Sequence, residues 1–320
     1  MKPSLFLDFN DTRLKYLYVS HQLGSMRAAA DELGLAPSSV SRQISLLEAE
    51  LRIDLVEAGT HRIRLTEAGD ATVEYYRKRA LQHEELLGRL NELRGSSLCK
   101  TIVAVGEGLF GIELIRQLEA FFQSHPNSHT EIVIAPSNDV QRMIIDDAAH
   151  VGVVFAPYAS TRLRQQFAIK QPLRAIVHPD NALVAQGYVT LQDLASEALV
   201  LPGPNYRVRE LIREACRGQP FSIEPSITSN SLQVITDFVR ANIASTLLAE
   251  LPMLAEIRAG NVVALPIRSV EMSSTELQVV TRQSRKLSPV SKELIHYLAR
   301  AINQVRRSSS TDTQVPSDSV

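Results

Sequence analysis

The chain has 320 residues, 44% of them hydrophobic, and its 34 lysines and arginines against 35 aspartates and glutamates leave a formal net charge of −1. That is enough chain for two or more domains with real cores, and it excludes a globally basic, histone-like binder while allowing positive charge to be concentrated locally. Two cysteines supply neither a disulfide framework nor a metal set. No run of about eighteen apolar residues occurs, and acidic residues stand where a signal peptide needs an apolar core, so a soluble, cytoplasmic protein with no membrane partner is expected.

In chain order, Leu14 to Leu23 carries Leu14, Leu17 and Tyr18 at helical spacing and predicts a first helix. Ser25 to Leu51, SMRAAADELGLAPSSVSRQISLLEAEL, predicts two short helices joined by a tight turn. Ser25 caps Met26–Leu33, Ala28-Ala29-Ala30 lets another helix cross closely, and Gly34 sits where the chain leaves. Pro37 opens the second helix, where its missing N–H costs nothing. Val40, Ile44, Leu47 and Leu51 recur along it as one stripe to be buried. The opposite face shows Ser38, Ser41, Arg42 and Ser45, a poor surface for a helix selected only for stability. Short donors that reach phosphates and a guanidinium that reaches a base edge suit the DNA major groove, so the segment reads as a DNA-binding helix-turn-helix.

Gly59-Thr60 separates Leu55-Val56 from Arg62–Leu65, a predicted β-hairpin wing with Arg62 and Arg64 on one side. Their functional partner is phosphate or a minor groove; the plainer alternative is a solvated edge strand blunted by charge. Thr66 caps a long helix to about Arg94, with Glu67 and Asp70 in its first turn. Along it Val73, Tyr76, Ala80, His83, Leu87 and Leu90 form an imperfect coiled-coil seam, for a dimer or for packing on the chain's own domain. Gly95-Ser96-Ser97 ends the helix and marks a boundary.

From Lys100 the pattern alternates. Strands are predicted at Thr101–Val105, Glu131–Ala135 and Val151–Phe155, with helices at Leu109–Gln123 and Val140–Ile145. After Pro157, strands follow at Arg174–Val177, Ala198–Leu201, Ser222–Ile227, Ile243–Leu248, Val262–Ile267 and Leu277–Thr281. Helices are predicted at Val208–Arg217, Leu232–Arg240 and Val290–Val305. Such alternation predicts an α/β fold with parallel sheet covered by helices, ending in a polar tail expected to be disordered.

AAADELGLAPSSVSRQISLLEAELRIDLVEAG, followed by RIRLTEAG, resembles the N-terminal domain of LysR-type transcriptional regulators over about residues 14–69. The resemblance implies a winged helix-turn-helix over 1–66, a linker or dimerisation helix over 67–96, and an effector domain like periplasmic binding proteins over 97–306, with a tail at 307–320. It implies two lobes, 98–160 plus 269–306 and 161–268, hinged near Pro157 and Arg268. DNA contacts carry over to Pro37, Ser38, Ser41 and Arg42; Ser25 and Ser45 join them as neighbouring hydroxyls. The family commonly has arginines where Ala58 and His61 stand here, so the wing's load shifts to Arg62 and Arg64. VRANIASTLLAELP resembles the family's glycine-rich strand entry, with Asn242, tolerant of left-handed φ, in place of glycine. The partners implied are double-stranded DNA, a small-molecule effector, a second copy in a dimer, a second dimer and RNA polymerase. Effector closure of the lobes would shift the angle between the heads.

Gly106-Glu107-Gly108-Leu109-Phe110-Gly111 is a literal GxGxxG between a predicted strand and helix, the pattern of a dinucleotide site in an oxidoreductase. Glu107 puts negative charge inside that loop, and Pro136-Ser137-Asn138 stand where the ribose-binding acid belongs, with Asp139 only just beyond, so no cofactor and no enzyme activity are expected. A solute receptor, the second alternative, would lack the N-terminal domain. The preferred reading makes Gly106, Glu107, Gly108 and the following helix N-terminus one wall of an effector cleft, with Glu107 accepting from an ammonium or another donor. Ser137 and Asn138, Asn205, Tyr206 and Arg207, and Thr228 and Ser229 follow other strands and complete it; a carboxylate would use Arg207 or a helix N-terminus. Asn230 and Ser231 look like helix caps. His125 and His129 flank Pro126, which breaks a shared ligand face, so no metal is expected. Cys99 and Cys216 form a redox switch only if they are not simply inert.

Overall fold

The structure, a computed structural model, describes residues 10–57, 62–93, 100–109 and 111–310. The chain divides into two compact units, Met1–Leu90 and Asn91–Val320.

The first unit holds α1 (Asp11–Gln22), α2 (Met26–Leu33), α3 (Pro37–Leu51) and most of α4 (Glu67–Leu93). Side chains set the helix ends. The Asn10 amide oxygen accepts from Thr12 and Arg13, the Ser25 hydroxyl accepts from the Ala28 amide at 3.1 Å, and Gly34 leaves α2 at φ 66°. Leu14, Leu17, Ala29, Ala30, Val40, Ile44, Leu47, Leu55 and Val73 form one buried core. Each large aliphatic side chain there contributes about 1.5–3 kcal/mol. Val40, Ile44 and Leu47 are the buried stripe of α3, while Leu51 at its end is half-buried.

Val56 bridges Leu65 antiparallel and the Glu57 amide donates to the Arg64 carbonyl at 2.9 Å, the root of the expected wing. The wing's turn, Gly59-Thr60 with Ala58 and His61, lies outside the described residues. Thr66 caps α4 by accepting from the Gly69 amide at 3.1 Å, and its hydroxyl donates to the Asp54 carbonyl at 2.7 Å. A Cβ at Gly69 would collide with the Leu55 carbonyl, so glycine is what lets α4 lie this close. The predicted α4 seam is divided. Val73 and Tyr76 pack into the first unit's own core, with the Tyr76 ring 5.2 Å from Tyr18, whereas Ala80, His83, Leu87 and Leu90 are exposed. Gly95-Ser96-Ser97 lies outside the described residues.

The second unit runs β1 (Lys100–Gly106), α5 (Ile112–Ser124), β2 (His129–Ala135), α6 (Ser137–Ile145), β3 (Val151–Phe155), β4 (Leu163–Lys170), β5 (Leu173–Val177), α7 (Leu191–Ser196), β6 (Val200–Leu201), α8 (Arg207–Ala215), β7 (Ile227–Thr228), α9 (Leu232–Arg240), β8 (Thr246–Ala249), α10 (Leu254–Arg258), β9 (Val263–Pro266), α11 (Val270–Ser273), β10 (Glu276–Arg282) and α12 (Pro289–Ser310). The first lobe is a five-stranded sheet in the order β2-β1-β3-β10-β4. Strand alternation covers both its faces: Val103 and Val105 join the cluster containing Leu114 and Leu118 of α5 and Leu298 of α12, and Ala104 joins Val140 and Ile144 of α6. In the second lobe β5 lies between β8 and β9, and β6 pairs with β7.

The structure corrects several expectations. Strand β4 had no counterpart in the sequence reading, because LRQQFAIK buries little of its length and shows no apolar run. It pairs with β10 in the first lobe, so residues 161–170 belong there and the chain crosses at Gln171-Pro172, not at 161. Among the named strands, β1 pairs in parallel with β2 and β3, and β6 with β7, whereas β10 pairs antiparallel with β3 and β4 and the β8-β5-β9 sheet is antiparallel. The predicted strand 222–227 shrinks to β7, since Pro225 removes a ladder donor. Helix α5 starts at Ile112 rather than Leu109, and α12 runs past 306 to Ser310. Asn242 takes φ 54°, the left-handed conformation expected of it.

Candidate functional site

Two surfaces carry the candidate residues, one in each unit. On α3, Pro37, Ser38, Ser41, Arg42 and Ser45 are all exposed, with Ser38, Arg42 and Ser45 lying opposite the buried stripe, Ser41 beside them and Pro37 at the helix start. Helix α1 braces α3: Arg13 donates to the Gln43 side-chain oxygen at 3.0 Å and pairs with Glu50. Arg62 and Arg64 are exposed and flank half-buried Ile63, whose amide donates to the Gly24 carbonyl at 3.0 Å. Ser25 stands apart from this group. It is half-buried and its hydroxyl is occupied as the α2 cap, which favours a structural role over the DNA contact expected of it.

The second surface is a cleft, open to solvent, between the two lobes of the second unit. Of the expected wall residues, Glu107, Ser137, Tyr206, Arg207 and Ser229 line it, and Asn230 joins them. Gly106, Gly108, Asn138, Asn205 and Thr228 are not among its lining. Gly106 is buried at the end of β1, and Gly108, at φ 80°, backs onto Pro252 and Leu232. The wall expected from the helix after the glycine loop comes instead from the loop, through Glu107 and Leu109; Phe110 lies outside the described residues. The first turns of α6, α8 and α9 line the cleft as well, through Ser137, Arg207 with Val208, and Leu232.

Polar contacts cross the cleft beside this cavity. The Tyr206 hydroxyl donates to Glu107 Oε2 at 2.6 Å. Asn138 donates to the Asn205 carbonyl at 3.0 Å and to Glu210 Oε1 at 3.1 Å. The Tyr158 hydroxyl donates to the other Glu210 oxygen. Burial and the Glu107 carboxylate push the Tyr206 hydroxyl far above its ordinary pKa, so it remains a donor.

Arg207 departs from the expected role of carboxylate binder. Its Nε donates to the Ala156 carbonyl at 2.8 Å, and its terminal nitrogens reach both oxygens of Glu214, at 2.9 and 3.3 Å. Its guanidinium carbon lies 4.3 Å from the Tyr158 ring centre, so the side chain joins the lobes while one edge borders the cleft. Ser137 and Ser229 are also engaged, accepting from the Phe155 and Ser231 amides, each at 3.1 Å. Ser231 caps α9 as expected.

Sequence reasoning missed the apolar wall of Leu109, Pro136, Phe155, Pro202, Val208, Leu232, Ile235, Leu248, Ala249 and Pro252. It also missed Glu210, which joins Tyr158 and Asn138. Prolines at 136, 202 and 252 follow strands β2, β6 and β8 closely, a signal that was available but unread. His125 faces Glu293 at 2.9 Å and His129 opens β2. Burial pushes the half-buried Cys216 thiol up, away from the reactive thiolate, and Cys99 lies outside the described residues. Among the described residues, no helix is long and apolar enough to cross a membrane.

A helix-turn-helix with a serine–arginine face, a long helix and a two-lobed α/β unit enclosing a cleft together define a ligand-responsive DNA-binding regulator. The description "Bacterial regulatory helix-turn-helix protein, lysR family" matches residues 12–70 and "LysR substrate binding domain" matches residues 104–303, and the chain belongs to the LysR family of transcriptional regulators. The HTH-type transcriptional regulator CbbR of Rhodospirillum rubrum is 23% identical over 280 residues, covering 87% of this chain and 91% of that protein. The HTH-type transcriptional regulator BenM of Acinetobacter baylyi is 26% identical over 200 residues, covering 60% and 65%. A full-length OxyR variant from Pseudomonas aeruginosa matches in structure at TM-score 0.59 and 17% identity, covering 93% of this chain and 96% of that one. Full-length BenM matches at TM-score 0.51 and 20% identity, covering 96% and 100%. At these identities the structural matches speak to the fold.

Proposed function

We propose that two copies of the chain pair through α4, in the cytoplasm, and that each lays α3 in a major groove of double-stranded DNA. Arg42 reads a base edge, Pro37, Ser38, Ser41 and Ser45 approach bases and phosphates, and Arg62 and Arg64 hold phosphate or a minor groove. A small effector bound between the lobes changes this DNA binding, because an effector that favours one state of the protein must alter its affinity for DNA in the same proportion. Association of two dimers and contact with RNA polymerase extend the same reading. It rests on one observation above all: α3 exposes Arg42 among three serines, away from its buried Val40–Ile44–Leu47 stripe.

Footprinting of the full chain on its promoter region tests it. Arg42→Ala is expected to cost about 1–3 kcal/mol of discrimination and so lose operator preference, with an unchanged melting curve. An unchanged footprint rejects α3 as the reading helix.

A further inference from the structure

The cleft walls dispose of their charges unequally. Arg207, the one cation among the described lining residues, is consumed by Glu214 and the Ala156 carbonyl. Glu107 accepts from the Tyr206 hydroxyl through Oε2 alone, and its Oε1 has no hydrogen-bonding partner among the described residues. Asp139 adds negative charge close enough to Tyr206 to raise its pKa. Beside Glu107 and the polar Ser137, Tyr206, Ser229 and Asn230, the wall has an apolar part formed by Leu109, Phe155, Leu232, Ile235 and Leu248. An anion entering here would meet the first-turn amides of α6, α8 and α9 but would be desolvated beside a carboxylate, with the nearest guanidinium already paired, whereas a cation would find a full counter-charge on Glu107.

Building on the reading of this cleft as the effector site, we propose that its ligand is a small primary amine with an apolar body. The ammonium pairs with Glu107 Oε1, beside the Tyr206 hydroxyl or in its place, and the apolar body fills the wall. An ammonium offers three donors and no acceptor, the complement of a carboxylate with one oxygen open. Closure follows from the same contact, since Glu107 stands on the first lobe and the apolar side chains of α9 and β8 on the second.

Calorimetric titration of the full chain with phenylethylamine, phenylethanol and phenylpropanoate tests the proposal, in the wild type, Glu107→Gln and Ser229→Trp. The amine is expected to bind best. Glu107→Gln should weaken the amine by about ten- to a hundred-fold more than it weakens phenylethanol, the worth of a hydrogen bond to a charged group, the alcohol reading out any effect of the weakened Tyr206 bond on closure. Tighter binding of the carboxylate, no binding of the amine, or amine binding indifferent to Glu107→Gln overturns the proposal. Ser229→Trp, which fills the cleft rim, separates the two readings. If it abolishes carboxylate binding, the cleft remains the effector site and only the amine class fails. If binding of every probe survives it, the cleft reading fails too.

Discussion

His150 stands beside β1 with its Nδ1 accepting from the Ile102 amide at 2.9 Å, an arrangement that needs the lone pair protonation would consume. Burial first, and then the positive charge of Arg285, hold its pKa down to about 4, against 6.5 for an ordinary histidine. The folded state therefore binds fewer protons than the unfolded state between those values. The contribution is complete above pH 6.5 and is lost as pH falls towards 4. The melting temperature of the second unit should drop through that window, and His150→Asn, which keeps an acceptor without titrating, should flatten the drop. An identical pH slope in the variant would show that other groups carry it. Glu48 illustrates the same economy without titration. Its Oε1 accepts from the Leu55 and Val56 amides, at 2.9 and 3.1 Å, and so fastens the wing root to the end of α3. Nothing in the spacing of Glu48 announces that role, because its partners lie seven and eight residues away on an irregular segment.

At the scale of the element, α4 combines two surfaces. Its first turns belong to the core of the first unit through Val73 and Tyr76, and its later turns leave Leu86, Leu87 and Leu90 exposed at 52%, 59% and 39%. Three leucines within five residues are costly to leave in water, and burial against a symmetry mate would return about 1.5–3 kcal/mol for each. If the chain pairs through this face as proposed, Leu87→Glu lowers the mass measured by light scattering from two chains towards one, with the helix content retained. An unchanged mass would remove this face from the dimer contact. The alternation by threes and fours made the helix legible but not its division, since the same period serves a core and a seam. The missed strand β4 is the converse case. An edge strand with polar side chains on its outward face has little hydrophobic signal, and its place is fixed by the hydrogen-bond ladder with β10, more than a hundred residues away in sequence.

For the second unit as a whole, the bonds from Tyr206 to Glu107, from Asn138 to Asn205 and Glu210, and from Arg207 to Ala156 hold the lobes together beside the cleft. Tyr206→Phe removes one charge-assisted bond, worth about 1.5–3 kcal/mol, and should shift the lobes towards opening. Hydrogen exchange is expected to quicken at the first turn of α8 and at residues 106–109, while the centre of β1 stays protected. Equal exchange in both proteins would rule out this bond as a brake on opening. By itself the sequence determined the helix-turn-helix, its buried stripe and exposed serine–arginine face, most α/β elements, and Glu107 and Tyr206 as wall residues. These are local matters of period, capping and strand-end position, which neighbouring residues dictate. Only the tertiary structure decided that Tyr206 donates to Glu107, that Arg207 is spent on Glu214 and Ala156, that β4 closes the first lobe, and that apolar side chains far apart in sequence line part of the same cleft. Each depends on groups far apart in the chain, and which charges a site leaves unpaired is known only when all of its neighbours are in place.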